Sequence, residues 1–163
     1  MLLDARGLVV LAIGAQLAGC CSDVACAPHV TFLGSIGIPV TERASVRVRF
    51  CRGGQCGEAA VASAPSGAIS DIVAIDLEDG TTRCSLRNNP DAEFWEFVAG
   101  FSPRDGVDIE DEERYTLRVT NADAETVLVD IEKNVSYEEH DPGVFCGGSC
   151  YSAYVALPSP SKR

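Results

Sequence analysis

Lysine and histidine are nearly absent from this chain. Only two of each occur, and 24 acidic residues against 13 basic ones give a formal net charge of −11. Binding to a nucleic-acid backbone depends on lysine and arginine replacing condensed counterions, so this charge disfavours a nucleic-acid partner. It equally disfavours adsorption to anionic lipid by charge alone.

Sequence motifs of the common enzyme classes are missing too. Hydrolytic catalysis needs a base beside a nucleophile, and only His29 and His140 could supply an imidazole. Neither a Gly-x-Ser-x-Gly elbow, nor a His-Glu-x-x-His helix, nor a P-loop occurs. Both histidines are predicted to lie in solvated loops. We therefore expect no enzymatic activity and no cofactor.

The chain also lacks an apolar run long enough to cross a bilayer, which takes about 20 residues. Its best run, from Leu8 to Leu17, is shorter, follows Arg6 and ends in small residues before a cysteine. This layout is typical of an export signal. A buried strand and a plain secretory signal without lipid are the alternatives.

The segment Leu-Ala-Gly-Cys at 17–20 resembles the lipobox of bacterial lipoprotein precursors. The resemblance implies a diacylglyceryl group on the Cys20 sulfur and cleavage after Gly19. Two or three acyl chains, at about 0.8 kcal/mol per buried methylene, anchor a protein stably. We therefore expect a signal peptide over 1–19, a lipidated tether over 20–28, and residence in the bacterial cell envelope. Cys21 in place of Asp after the anchor favours the outer membrane.

Cysteine, by contrast, is abundant. The eight cysteines are Cys20, Cys21, Cys26, Cys51, Cys56, Cys84, Cys146 and Cys150. Exported chains meet an oxidising compartment in which disulfides are the default. If lipid occupies Cys20, seven thiols remain, and we take Cys21 beside the anchor as the unpaired one. The other six allow 15 pairing schemes, among which sequence alone does not choose.

Local geometry suggests three bridges. Cys51 and Cys56 flank a Gly-Gly turn and would face each other across a hairpin. Cys146 and Cys150 could close a small glycine-rich loop. Cys26 and Cys84 are left for a long-range bridge, which would close the largest loop.

Strand-like alternation recurs over residues 29–157. In one run Val46, Val48 and Phe50 share a face, and the segment 114–137 predicts a clear hairpin. The aromatic run 93–101 favours a strand over a short helix, with Trp95 in the core rather than on a ligand platform. Residues 158–163 are expected to be a frayed tail.

Seven or eight short strands indicate an all-β fold, an antiparallel β-sandwich stapled by disulfides. In architecture it resembles immunoglobulin-like or fibronectin-like modules. The ending at 135–157 is similar to the closing strand of secreted bacterial proteins with a Pro-Gly turn and paired cysteines, which implies no activity.

Two metal sites are conceivable. The Cys146-x-x-x-Cys150 pair resembles the copper-binding pair of envelope-anchored assembly proteins, and His140 could complete it, because thiolates favour Cu(I). A structural disulfide is the preferred interpretation. The acidic run 104–114 could offer Asp105, Asp108, Glu110 and Asp111 to Ca²⁺, but the EF-hand spacing is not met and a solvated loop is preferred.

The sequence thus predicts a lipid-anchored envelope protein that acts as a non-enzymatic binding or structural module. It contacts the membrane through its lipid and would recognise a protein or glycan partner through loops and sheet edges. The alternative is a metal-binding or thiol-redox lipoprotein that uses Cys146 and Cys150.

Overall fold

A computed structural model describes residues 29–63, 70–88, 91–140 and 150–160. All regular structure in these ranges is β-strand, which confirms the predicted all-β class. The strands are β1 (His29–Pro39), β2 (Ser45–Arg52), β3 (Gln55–Ala62), β4 (Val73–Leu77), β5 (Gly80–Arg87), β6 (Phe94–Pro103), β7 (Glu113–Asn121), β8 (Val127–Val135), β9 (Glu138–His140) and β10 (Cys150–Ala156). Among these residues no helix is long and apolar enough to cross a membrane.

The strands form two sheets that pack face to face, so the predicted β-sandwich is confirmed. One sheet has the order β4-β5-β6-β1-β10-β9 and the other the order β3-β2-β7-β8. The expectation of a purely antiparallel arrangement is wrong for one pair. Residues 29–33 of β1 run parallel to residues 152–156 of β10, the last strand of the chain.

The predicted count of seven or eight strands is also wrong, since the described residues contain ten. The strand that sequence patterning missed is β9, whose three residues Glu138–His140 are polar and show no apolar alternation. His29 does not lie in a loop as predicted. It opens β1, and its ring meets that of Tyr154 edge-on at 6.3 Å between centroids.

Alternating inward residues build the core. Val46, Val48 and Phe50 of β2 are fully buried, as the two-residue period predicts. Trp95 is only 3% exposed, and its indole N–H donates to the carbonyl of Glu42 at 2.9 Å. The core role predicted for Trp95, and the strand predicted around it, are therefore confirmed.

An aromatic cluster joins the two sheets near one end of the sandwich. The ring of Phe50 stacks on Phe101 at 5.8 Å and meets Phe32 edge-on at 5.7 Å. Tyr115 completes the cluster, with its ring centroid 5.8 Å from that of Phe101. Aromatic pairs in these arrangements contribute about 0.5–1.5 kcal/mol beyond the area that they bury.

One flank of the sandwich is closed by contact between β3 and β4. A Cβ atom on Gly57 would come within 2.4 Å of the Ile75 Cγ2 atom, so only glycine permits this approach. The side-chain oxygen of Gln55 accepts the amide of Glu78 at 3.1 Å across the same seam. The seam therefore holds the β2–β3 and β4–β5 turns together at one end of the molecule.

Gly80 tests how tightly this end is packed. A Cβ atom there would lie 2.5 Å from both the Ser102 carbonyl oxygen and the Phe101 ring. Because Ser102 is paired with β5 in the sheet, its carbonyl cannot move away without breaking that pairing. We expect Gly80→Ala to lower the free energy of unfolding by about 1–3 kcal/mol, the usual cost of overpacking. Gly100→Ala is the matched control, because a Cβ atom at that strand position meets nothing within 4 Å. Urea unfolding followed by Trp95 fluorescence measures both, and equal stabilities would contradict the packing described.

Candidate functional site

Arg52, at the end of β2, is the central residue of the most polar interior region that the structure describes. It follows Val46, Val48 and Phe50 on the inward face of the strand, so the alternation that buries those side chains also turns its guanidinium inward. The residue is only 5% exposed. Sequence reasoning missed it, although the two-residue period that identified the inward row, extended by one step, would have found it.

The guanidinium is held by four segments of the chain. Its Nε donates to Glu113 Oε2 at 3.0 Å, and Nη2 donates to the other oxygen of the same carboxylate, which gives a bidentate pair. Nη1 donates to Asp79 Oδ2 at 2.8 Å, and Nη2 also donates to the backbone carbonyl of Asp108 at 3.1 Å. The guanidinium carbon lies 5.3 Å from the centroid of the Phe101 ring. We call Arg52, Glu113, Asp79, Tyr115 and Tyr137 the buried network.

Electrostatics favour the charged form of Arg52 despite its burial. Desolvation opposes the charge, but the hydrogen bond that Arg52 donates to Glu113 and the negative charges of Glu113 and Asp79 outweigh it and raise the pKa of Arg52 above its ordinary value. Two carboxylates surround one guanidinium, so the ionic part of the network carries an excess negative charge. Asp79 Oδ1 is buried and has no hydrogen-bond partner among the described residues.

Two tyrosines extend the network toward the surface. The Tyr115 hydroxyl donates to Glu113 Oε2 at 2.7 Å and lies 2.6 Å from the Tyr137 hydroxyl. A phenol has one proton, so Tyr137 must be the donor in the contact between the two rings. Burial is the main cause that raises the pKa of both tyrosines, and their shared hydrogen bond further raises the pKa of Tyr115. Both phenols therefore stay neutral well above physiological pH.

A loop pocket lies against this network. It is an open depression of about 500 Å³ at the end of the sandwich and is lined by Val107, Asp108, Ile109, Asp111, Tyr137 and Tyr151. The loop 104–112 that supplies four of these residues is tied down at its start, where the Arg104 amide donates to the Asp79 carbonyl at 2.8 Å. At its end, Asp111 Oδ1 accepts the Tyr137 amide at 3.2 Å. Between these two ties, the Asp108 carbonyl accepts from Arg52 and so joins the loop to the buried network.

The acidic run considered for calcium is this same loop. Asp105, Asp108, Glu110 and Asp111 are all exposed, and Asp108 offers its backbone carbonyl to Arg52. Within the ranges that the structure describes, no three His, Cys, Asp or Glu side chains are grouped so that they could hold a metal ion. The loop instead presents carboxylates beside an apolar and aromatic cavity.

The cysteine predictions have mixed outcomes. The Cys51–Cys56 disulfide is confirmed, joining directly opposed residues of the β2–β3 hairpin with Cα atoms 4.1 Å apart. The predicted Cys26–Cys84 bridge is wrong, because Cys84 carries a free thiol. Cys84 is fully buried on the inward face of β5, and burial raises its pKa to about 12. The thiol is part of the apolar core, and Cys26 lies outside the described residues.

The other sulfur positions are described only in part. Cys20, Cys21, Cys26 and Cys146 lie outside the described residues, so the lipidation site and the Cys146–Cys150 bridge stay predictions. The backbone register of β9 and β10 places His140 directly opposite Cys150. Two residues of the alternative metal or redox site, His140 and Cys150, are thus backbone neighbours on adjacent strands. The third, Cys146, lies outside the described residues.

Arg52→Met tests the buried network. Methionine fills a similar volume but leaves Glu113 and Asp79 without their cation, and breaking a buried ion pair in this way typically costs about 3–5 kcal/mol. Arg114→Met is the matched control, because Arg114 pairs with Glu132 on the surface and its side chain is 64% exposed, where such a pair contributes about 0–1 kcal/mol. Urea unfolding compares the two variants. Equal losses would show that the network does not stabilise this end of the sandwich.

Comparisons of this chain with protein-family models, with curated proteins and with solved structures find no match. Its role has to be inferred from its own residues. The described features that bear on a role are the loop pocket, the buried network behind it and the disulfide-closed β2–β3 hairpin.

Proposed function

We propose that the protein is a lipid-anchored, non-enzymatic binding module of the bacterial cell envelope, built on an immunoglobulin-like sandwich. The observation that supports binding over a purely structural role is the loop pocket. Its volume of about 500 Å³ is within the range of small-ligand sites in proteins, which are about 300–1,000 Å³. Rigid strands present its loops, the arrangement in which sandwich domains commonly carry recognition.

The chemistry at the pocket favours binding over catalysis. Tyr115 and Tyr137 have raised pKa values and are bonded to each other, so neither is poised as a base near neutral pH. The carboxylate of Glu113 is occupied by Arg52 and Tyr115. Among the described lining residues, the polar groups that remain, Asp108 and Asp111, can orient a ligand but form no pair of nucleophile and base.

The anchor is supported by the sequence alone. The apolar run 8–17, the small residues before Cys20, and the cysteine-rich composition agree with export and lipidation. The alternative of metal or thiol-redox work is favoured only by the register of His140 opposite Cys150. It needs Cys146 as well, so the binding module is the function that the described geometry supports best.

Replacement of Cys20 tests the anchor. In a bacterial host that exports the chain, the unaltered protein should gain the mass of acyl chains, lose residues 1–19 and partition into detergent. We expect Cys20→Ser to abolish all three changes, because serine oxygen does not accept the lipid that the thiolate accepts. The matched control is Cys21→Ser, which should leave them intact. Intact-mass spectrometry decides, and a Cys20→Ser protein that is still cleaved and lipidated would exclude the lipoprotein assignment.

Binding at the pocket is tested by amide NMR on the exported protein, purified in a maltoside detergent. A panel of cationic, neutral and anionic small molecules, together with soluble cell-wall fragments, should contain ligands whose shifts cluster on 107–111, Tyr137 and Tyr151. Ile109→Ser should weaken those ligands by removing apolar lining. Val127→Ser is the control, because it also replaces an accessible apolar residue by serine, at the opposite end of the sandwich where Val127 is 44% exposed. The proposal fails if no compound of any class shifts these amides.

A further inference from the structure

We infer that the loop pocket recognises a lysine or arginine side chain of a partner polypeptide: an ammonium or guanidinium group on an apolar stem. This inference rests on the proposed binding function and specifies its ligand. Three observations support the ligand class: the pocket itself, its aromatic and aliphatic lining, and the direction of the hydrogen bonds in the buried network.

The direction of the hydrogen bonds in the buried network determines what Tyr137 can offer to a ligand. Tyr115 donates its only proton to Glu113, so the Tyr137 proton is directed inward to the Tyr115 oxygen. Tyr137 therefore has only lone pairs to offer a ligand. The Asp108 and Asp111 side chains, when ionised, are acceptors as well. A ligand that satisfies these groups has to bring the donors.

Positive charge is lacking around the pocket in the described part of the chain. No lysine, arginine or histidine is among its lining residues. Two arginines at this end of the sandwich are engaged, since Arg52 donates to the Asp108 carbonyl within the buried network and Arg104 donates to the Leu77 carbonyl at 3.3 Å. Carboxylates that lack a cation of their own favour a ligand that supplies one.

The apolar lining of the pocket favours a ligand whose charged group is carried on an apolar stem. Val107 and Ile109 are half-buried, and Tyr151 is 38% exposed. Methylene groups of a lysine or arginine side chain can cover these residues while the charged head stays at the carboxylates. A tyrosine face also attracts a cation through its ring quadrupole. A small hydrated metal ion would gain nothing from this apolar and aromatic lining.

Overall charge assists the encounter. The chain has a formal net charge of −11, and such a field concentrates cationic partners and raises their association rate. The same field disfavours phospholipid headgroups, in which an ammonium group lies close to a phosphate. The observations therefore favour a basic side chain on a protein over a lipid headgroup.

The test is amide NMR titration of the exported protein with n-butylammonium, n-butylguanidinium, n-butanol, butyrate, calcium and glycerophosphoethanolamine. We expect the two organic cations to shift the amides of 107–111, Tyr137 and Tyr151, and Nα-acetyl-lysine amide to do the same. Butanol should bind at least about tenfold more weakly, because a neutral group loses the attraction of two carboxylates, together about 1.4 kcal/mol or more. Added salt should weaken the cations and leave butanol unchanged.

Matched variants separate charge from shape. Asp108→Asn and Asp111→Asn should each weaken n-butylammonium about two- to fivefold, which is the effect of one partly exposed charge. Glu125→Gln removes one charge in the β7–β8 turn, at the opposite end of β7, and should change nothing. Tyr151→Leu should weaken the cations more than butanol, because leucine keeps apolar area and loses the aromatic face.

The outcomes separate the two proposals. If butyrate or butanol binds the pocket as tightly as the cations, the ligand class is wrong while the binding function stands. If calcium or glycerophosphoethanolamine alone shifts these amides, the inference is likewise overturned, in favour of a metal ion or a lipid headgroup. If no probe of any class binds, the proposed function fails with it.

Discussion

The architecture of this end of the sandwich depends on one constraint: a guanidinium that lies inside the protein must be neutralised there. The alternation of β2 carries Arg52 inward, and an unpaired buried cation would cost several kcal/mol. Neutralisation requires Glu113 at the start of β7, Asp79 in the β4–β5 turn, and the carbonyl of Asp108 in the loop 104–112. One side chain thereby fixes segments that are far apart in the sequence, and the loop pocket exists because they are fixed.

The network also imposes a direction on the hydrogen bonds that reach the surface. The guanidinium makes four hydrogen bonds, to Glu113, Asp79 and the Asp108 carbonyl, and the two tyrosine protons are directed toward Glu113, that of Tyr137 through the Tyr115 oxygen. The Tyr137 oxygen that borders the loop pocket is consequently left as an acceptor. The electronegative character of the pocket thus comes from this oxygen in addition to the acidic composition of the loop.

Much of the fold was predictable because two-residue periodicity is a local signal. It identified the inward row of β2 and the hairpin over 114–137, and the Gly-Gly turn marked the Cys51–Cys56 hairpin. The aromatic character of the run 93–101 placed Trp95 in the core. The buried network was not predictable, because Arg52 and Glu113 are 61 positions apart and nothing local marks them as partners. Cys84 was assigned to a bridge by elimination, whereas its inward position on β5 makes it a core side chain. The short polar strand β9 was not predicted because its sequence has no apolar alternation. It is recognisable as a strand only from its pairing with β10.

The topology relates the pocket to the proposed anchor. Val30 pairs with Phe101, so β1 begins at the same end of the sandwich where β6 leads into the loop 104–112. Only residues 21–28 lie between Cys20 and β1, and the nine residue steps from Cys20 to His29 span at most about 30 Å when fully extended. A lipid on Cys20 would therefore hold the pocket close to the membrane. A partner that offers a basic side chain would have to present it near the bilayer surface, which favours another envelope protein over a freely diffusing one.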